Sequence, residues 1–442
     1  MVGGAQTQTV LLGFCWVFSA CVPPPAPIPD SAPFHPPALR PSSCTEVPTG
    51  SPLQKLLDAA PDSEKFCLRE GEYVGPILLA RGQILWGPRA AAIVSTGQGT
   101  TVQVRGKGTQ LLGLSVRGSG SRFDNQDAAI QIQGEDVLVD DVHVSGATFG
   151  ILVEQSKRVT VSRNEIHGRT DLPFGLRGDG IRFWESYDSA LKANFVRDAR
   201  DLIARYSQRI LIEDNLVVQS RYGMHLMYCR EVTMRDNRSI GNVVGTFVMY
   251  SQDVAYKNNL VAAQKGAAGM GLGIKESGNI TVEDNLFLRN TTSVYLDTSP
   301  IQLHHRNLFV RNAFRLSDAA VVFHSSPYRN RFASNSFHDN QVQVRVEGGG
   351  DALGTEWEGN GWDDYAGFDF DGDGVGDVPY ELRSLSANLL DRFPDLQLLR
   401  GSPALSVLEA LSHILPLFAP QAVLVDRRPL MRSLKVGFGH EH

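Results

Sequence analysis

Positive charge is not in excess in this chain: Lys plus Arg number 42 against 48 for Asp plus Glu, a formal net charge of -6. Nucleic acid is thereby disfavoured as the main partner, because phosphate binding needs clustered cations. Long apolar runs are also lacking, which excludes a polytopic membrane protein. Aromatic residues are few, at 8 %. Yet 42 % of the residues are hydrophobic, too many for a disordered chain. Length alone, 442 residues, would predict roughly three domains at about 150 residues each.

The N-terminus sets the compartment. Residues 9–22 (TVLLGFCWVFSACV) form an apolar stretch too short to span a bilayer comfortably, the length of a signal-peptide core. The preceding MVGGAQTQT lacks the positive charge of a usual leader. Phe18-Ser19-Ala20-Cys21 is similar to a bacterial lipobox, so residues 1–21 read as an export signal with Cys21 as a lipidation candidate. The expected location is the periplasm, with or without a lipid anchor. The proline-rich residues 22–42 read as an extended tether. Of the five cysteines, Cys44 and Cys67 are the pair in the first folded stretch, either a disulfide or two buried thiols.

The middle of the chain repeats itself. A marker Asn recurs at Asn164, Asn194, Asn215, Asn237, Asn259, Asn285, Asn307 and Asn335, in steps of 30, 21, 22, 22, 26, 22 and 28 residues. Each unit holds short alternating strands such as Val159-Thr160-Val161 and Ile210-Leu211-Ile212, and none carries a helical pattern. Such a unit specifies an all-β fold, a right-handed parallel β-helix. Residues 43–400 then form one solenoid of roughly ten to twelve coils, with an asparagine ladder inside and glycines at coil corners. Low aromatic content suits a narrow core of Ile, Leu and Val. Short helices should close the ends: one after Ser51-Pro52, to about Ala60, and an amphipathic one within residues 401–432, presenting Leu408, Leu411, Leu415 and Phe418. Residues 433–442 read as a disordered or tag-like end.

Alignment on the marker places residues in columns. Eleven and thirteen positions before it lie mainly apolar residues, among them Val153, Phe183 and Leu226, and Ile151, Ile181 and Met224. These should point inward, with His324 the last member of the first column. Ten before it lie Glu154, Trp184, Arg205, Met227, Met249, Lys275, Asp297 and Ser325, which should face solvent. Met227 and Met249 are thus expected to be neighbours and exposed, with His225 on the same face. Eight before it runs a serine column, interrupted by Cys229. Thioether, imidazole and thiol are soft-metal ligands, so His225, Met227, Met249 and Cys229 form a copper candidate set. A protein-contact patch, or no role, is the competing reading.

A second candidate is the acidic segment 369–377. Asp369, Asp371, Asp373 and Asp377 fall at positions 1, 3, 5 and 9 of a calcium loop, with Gly374 at the turn and the Val375 carbonyl at position 7. Tyr380 replaces the usual Glu at position 12, so this is a calcium loop of non-EF-hand type or a solvated acidic turn.

Several stretches together resemble the NosD family of periplasmic proteins that mature nitrous oxide reductase. They are Gly178-Asp179-Gly180-Ile181-Arg182-Phe183-Trp184, Arg221 to Tyr228, Val248-Met249-Tyr250-Ser251, the loop from Asp369 through Tyr380, and Asp426-Arg427-Arg428-Pro429-Leu430-Met431. The resemblance covers residues 50–432. It implies a non-enzymatic part in building a copper centre, with copper held transiently. The implied partners are the permease and ATPase subunits of a membrane ABC-type complex, a copper chaperone lipoprotein and the apo-reductase. On this reading the helix at Leu408–Phe418 couples the solenoid to the permease, or caps the last coil. Cys229 departs from the family's Met-Tyr-Ser pattern. The rival is a β-helix carbohydrate enzyme, a polysaccharide lyase or epimerase, which would need converging acid and base groups.

Overall fold

The computed structural model describes residues 28–384, Val407 and residues 422–432. Cys21 and the stretch Leu408–Phe418 lie outside them. Most coils contribute one short strand to each of three parallel sheets, and the chain winds as a right-handed parallel β-helix. Sheet 1 has 12 strands, from Ile77–Leu79 to Val342–Val346, sheet 2 has 14, from Thr45–Val47 to Glu356–Glu358, and sheet 3 has 13, from Gly71–Val74 to Gly361–Trp362. The solenoid is longer than ten to twelve coils because its first turns wind without the marker Asn. Among the described residues, no helix is long and apolar enough to cross a membrane.

The asparagine ladder holds the coils in register. Asn164, Asn194, Asn215, Asn237 and Asn259 each donate the backbone N–H and the side-chain amide to Oδ1 of the next member, at 2.8–3.1 Å. The ladder then departs from the expected marker. Asn285 donates to Asn312, not Asn307, and the series continues through Asn335 to Asn360. Asn307 instead receives the Ile280 N–H, one corner earlier. The Pro300–His305 stretch inserted in this coil carries the true marker further along the chain. A smaller insertion shifts the following coil by one residue, so Phe323 pairs with Leu296 inside and His324 is exposed.

The residues just before the ladder are left-handed without being glycine: Arg163, Ala193, Asp214, Asp236, Asn258, Asp284, Arg311 and Ser334 all have φ between 51° and 59°. Doubly bonded asparagines on the next residue hold that conformation against its steric cost. Glycine turns other corners, as expected, with positive φ at Gly113, Gly118, Gly146 and Gly241.

The core is aliphatic in the middle and aromatic at the C-terminal end. Phe287, Phe314, Phe337, Trp362 and Tyr380 stack in one column at 4.3–5.2 Å between ring centroids. Phe309, Phe332 and Trp357 stack in another at 4.2 and 4.6 Å. The few aromatics are concentrated where the stack ends. The strand Ala422–Asp426 pairs antiparallel with Tyr380–Arg383, closing that end with a sheet edge inside the stretch expected to be helix and tail.

At the other end the helix Leu53–Ala59 is capped by Pro52 without a side-chain bond, and it follows the first strand instead of preceding it. Cys44 and Cys67 form a disulfide, with Cα atoms 5.7 Å apart. Residues 28–40 are not a free tether. They form a strap over the outer face of sheet 3. Ile28 packs on Phe195, Leu216, Val218 and Ile240. Arg197 donates to the Asp30 carbonyl at 2.8 Å, Arg163 to that of Pro36 at 2.7 Å, and Ala38 N–H to Asp141 at 2.6 Å.

Candidate functional site

Met227 and Met249 are register partners on adjacent strands of sheet 1, with Lys275 and Asp297 next in the same column. Both methionines are half-buried, less open than strand alternation alone implies. His225 shares their outward face but is itself only 6 % exposed. Tyr222 stands edge-on to its ring at 5.0 Å, and Phe247 lies nearly parallel at 6.2 Å. Phe247 reaches this position over Gly273, where a Cβ would come within 2.7 Å of its ring.

A bulge in the pairing between Asp201–Arg205 and Tyr222–Met227 puts one extra residue before His225. Bulges of this kind re-aim side chains beside functional sites. Here His225 Nδ1 lies 3.4 Å from Asp201 Oδ2, while its Nε2 lies 3.4 Å from Met249 Sδ. Two tetrahedral ligands on one ion, with bonds of about 2.0 and 2.3 Å, stand about 3.5 Å apart. The imidazole and thioether are therefore at ligand spacing, and the carboxylate sits on the far ring nitrogen, where it would fix ring orientation.

Asp201 is buried and also accepts two bonds from Arg221, at 3.0 and 2.6 Å. Burial works to raise its pKa, but the hydrogen bonds from His225 and Arg221 outweigh it and hold the carboxyl below its ordinary value. The neighbouring Asp179 is pushed upward by burial despite its bond from Arg200. Glu154 and Asp297 on the same face are likewise paired, with Arg182 and Lys275 at 2.8 and 2.9 Å. Sequence alone assigns no role to Asp201 or Phe247, and Arg221 and Tyr222 enter only as part of the stretch Arg221 to Tyr228. The only available signal was a polar residue at the column position where strand alternation turns outward.

Cys229 does not join the set. It is buried, with Sγ 3.2 Å from the Ala204 carbonyl and its N–H donating to Ser251 Oγ at 3.0 Å. Burial pushes its thiol up to about 11. It continues the serine ladder, in which Ser186 N–H donates to Ser207 and Ser251 N–H to Ser277. Between the methionines and this ladder runs a stack of the exposed Tyr206 and Tyr228 and the half-buried Tyr250, with centroids 5.0 and 4.8 Å apart.

In the acidic loop the structure brings Asp369, Asp371 and Asp373 together, with carboxylate oxygens within 4.8 Å of one another. Asp369 accepts the N–H groups of Gly372 and Gly374, and the Gly374 bond leads in holding its carboxyl below the ordinary value. Asp377 turns away to accept the Phe370 N–H at 2.7 Å. Val375 bridges to Leu430, so the stretch from Pro429 to Met431 clamps the loop.

A family model described as "Periplasmic copper-binding protein (NosD)" matches residues 163–367, the stretch that contains the His225 site. The chain is 26 % identical over 429 residues to a "Probable ABC transporter binding protein NosD" from Stutzerimonas stutzeri, covering 85 % of this chain and 89 % of the relative. A protein of the same description from Pseudomonas aeruginosa is 25 % identical over 430 residues, covering 86 % and 91 %. Among solved structures, the A-module of Azotobacter vinelandii mannuronan C-5 epimerase AlgE6 superposes with a TM-score of 0.52 at 13 % identity, over 69 % of this chain and 93 % of that one. The catalytic unit of a Streptomyces thermodiastaticus α-1,3-glucanase gives 0.50 at 13 %, over 74 % and 71 %. At such identity these two likenesses show the fold alone.

Proposed function

We propose that this chain, similar to NosD proteins over most of its length, is a NosD-type, non-enzymatic periplasmic accessory protein that handles copper for the maturation of nitrous oxide reductase. The observation that carries this reading is the line Asp201–His225–Met249, with Met227 in register beside it. An imidazole and two thioethers favour Cu(I) over hard divalent ions. Copper is here a cargo held in passing, and two thioethers on a solvent-facing sheet allow release to a partner. Asp201 is a positioning residue: it holds Nδ1 so that the Nε2 lone pair faces the thioethers.

Two further points support this reading. The family is periplasmic, and the relatives are described as ABC transporter binding proteins, in keeping with a membrane ABC-type complex as the partner. A carbohydrate enzyme is less well supported, since the carboxylates described on the sheet 1 face near the site are engaged by cations. That leaves no free acid–base pair among them. We further assign the Asp369–Asp371–Asp373 cluster to Ca²⁺, as a structural ion beside the C-terminal closure. The deciding experiment removes the gene from its host and measures copper in the purified reductase. A copper-deficient reductase is expected, and a fully loaded, active one would sink the maturation role.

A further inference from the structure

Sheet 3 faces away from the methionine column, and its outer side carries a different set of donors. His143 and Glu165 are register partners on adjacent strands, and His167 stands two residues beyond Glu165 on the same face. The ring centroids of His143 and His167 lie 5.3 Å apart. His167 Nε2 is 2.7 Å from Glu165 Oε1, and His143 Nδ1 is 3.8 Å from Oε2. Ligand atoms from all three residues fall within 4.8 Å of one another.

A positive charge already occupies the point on which they converge. The Arg89 guanidinium approaches His143 Nδ1 at 2.8 Å and bonds Glu165 through the same Nη2. Arg89 only donates, so Nδ1 must present its lone pair there. One imidazole lone pair and one carboxylate oxygen thus hold a cation between them, with the second imidazole on the other carboxylate oxygen. The arginine side chain is 60 % exposed and swings out at little cost. The groove beside the cluster runs under the strap and is also lined by His35 and Asp141.

We propose that His143, Glu165 and His167 form a binding site for a divalent transition cation of the zinc class, in which Arg89 stands in for the metal until it is displaced. Two imidazoles and one carboxylate are a borderline ligand set, unlike the thioether site on sheet 1. Three protein ligands leave the fourth position open toward the strap groove. The site is independent of the copper reading, because it shares no residue or sheet with it.

The test is calorimetric titration of the full chain with Zn²⁺ in excess Ca²⁺, with thermal unfolding as the folding control. Arg89→Ala removes the internal competitor and should tighten one binding event about fivefold. His143→Ala/His167→Ala should abolish that same event. If Arg89→Ala binds no tighter than the unaltered protein, or the double variant binds as well, the assignment is overturned. Arg89→Ala lies on the surface, so the test stands even if the double variant is poorly folded.

Discussion

Asp426 takes the place that the next asparagine would hold after Asn360: its Oδ2 accepts both the backbone N–H of Asn360, at 3.0 Å, and the side-chain amide, at 2.9 Å. The same oxygen receives Trp362 Nε1 at 3.3 Å. A carboxylate carries two acceptor oxygens and no donor, so it closes the ladder without leaving an amide group unpaired. This explains why an aspartate 66 residues along the chain is wholly buried.

Asp426→Ala should therefore destabilise the C-terminal coils by about 3 kcal/mol, since it strands several buried donors at once. Asp426→Asn keeps one acceptor oxygen and should cost clearly less. Urea unfolding followed by tryptophan fluorescence reports on Trp357 and Trp362, which stand in this end of the core. Equal losses for the two variants would show that the ladder does not need the acceptor.

Asp201→Asn should weaken Cu(I) binding by about 10–100-fold, the usual effect of removing the partner that orients a ligating imidazole. Asn can still accept from His225 but loses the charge that favours the Nδ1–H form. Cu(I) competition with a chromophoric chelator gives the affinity. Because the native carboxyl sits below its ordinary value, its stabilising contribution is present above the unfolded pKa of about 3.9. That contribution is lost as the pH falls through the lower folded value, so copper affinity should gain no new Asp201 transition between about pH 5 and 8.

Cys229→Ser should leave Cu(I) affinity unchanged, while Met227→Ala/Met249→Ala should lower it. The thiol belongs to the inner ladder, where serine fills the same position in the next coil. With its pKa pushed up to about 11, Cys229 carries almost no thiolate at neutral pH. Alkylation by iodoacetamide should stay slow in the native protein and become fast on unfolding. Rapid native labelling would place the sulfur outside the ladder.

Calcium should raise the unfolding temperature of the unaltered protein and have no such effect on Asp371→Ala/Asp373→Ala. A thermal shift series with and without chelator measures it. Asp369 is held below its ordinary value by the Gly374 and Gly372 N–H groups, so its carboxylate remains available at about pH 5. An identical shift in the variant would leave the loop as a solvated acidic turn.

Much of this was legible in sequence because a solenoid converts periodicity directly into position. The columns containing Val153, Phe183 and Leu226, and the pairing of Met227 with Met249, follow from period and strand alternation. What periodicity cannot see are departures from itself. The insertion at Pro300–His305 moved the marker from Asn307 to Asn312, and a bulge before His225 brought Asp201 within reach. Burial of His225 comes from Tyr222, three residues earlier on its own strand, and from Phe247 on the next coil, both of which a column alignment treats as surface. The aromatic closure from Phe287 to Tyr380 was hidden because a chain-wide composition averages over where residues fall. Proline content read residues 28–40 as a tether, whereas Arg163 and Arg197 pin their carbonyls to the solenoid.

That pinned segment decides how the molecule bears load. Residue 28 rests over the coil of Ile240, yet the chain enters its first strand at Thr45, so the strap runs backward across several turns. A pull applied at residue 28 meets the flank of the stack first, not the first coil. It must slide Ile28 off its apolar bed and shear the Arg197, Arg163 and Asp141 bonds before any force reaches the disulfide-closed end. The solenoid is thus held by its side, like a spring gripped at mid-length, and its opening turns are shielded from tension that would otherwise peel them away.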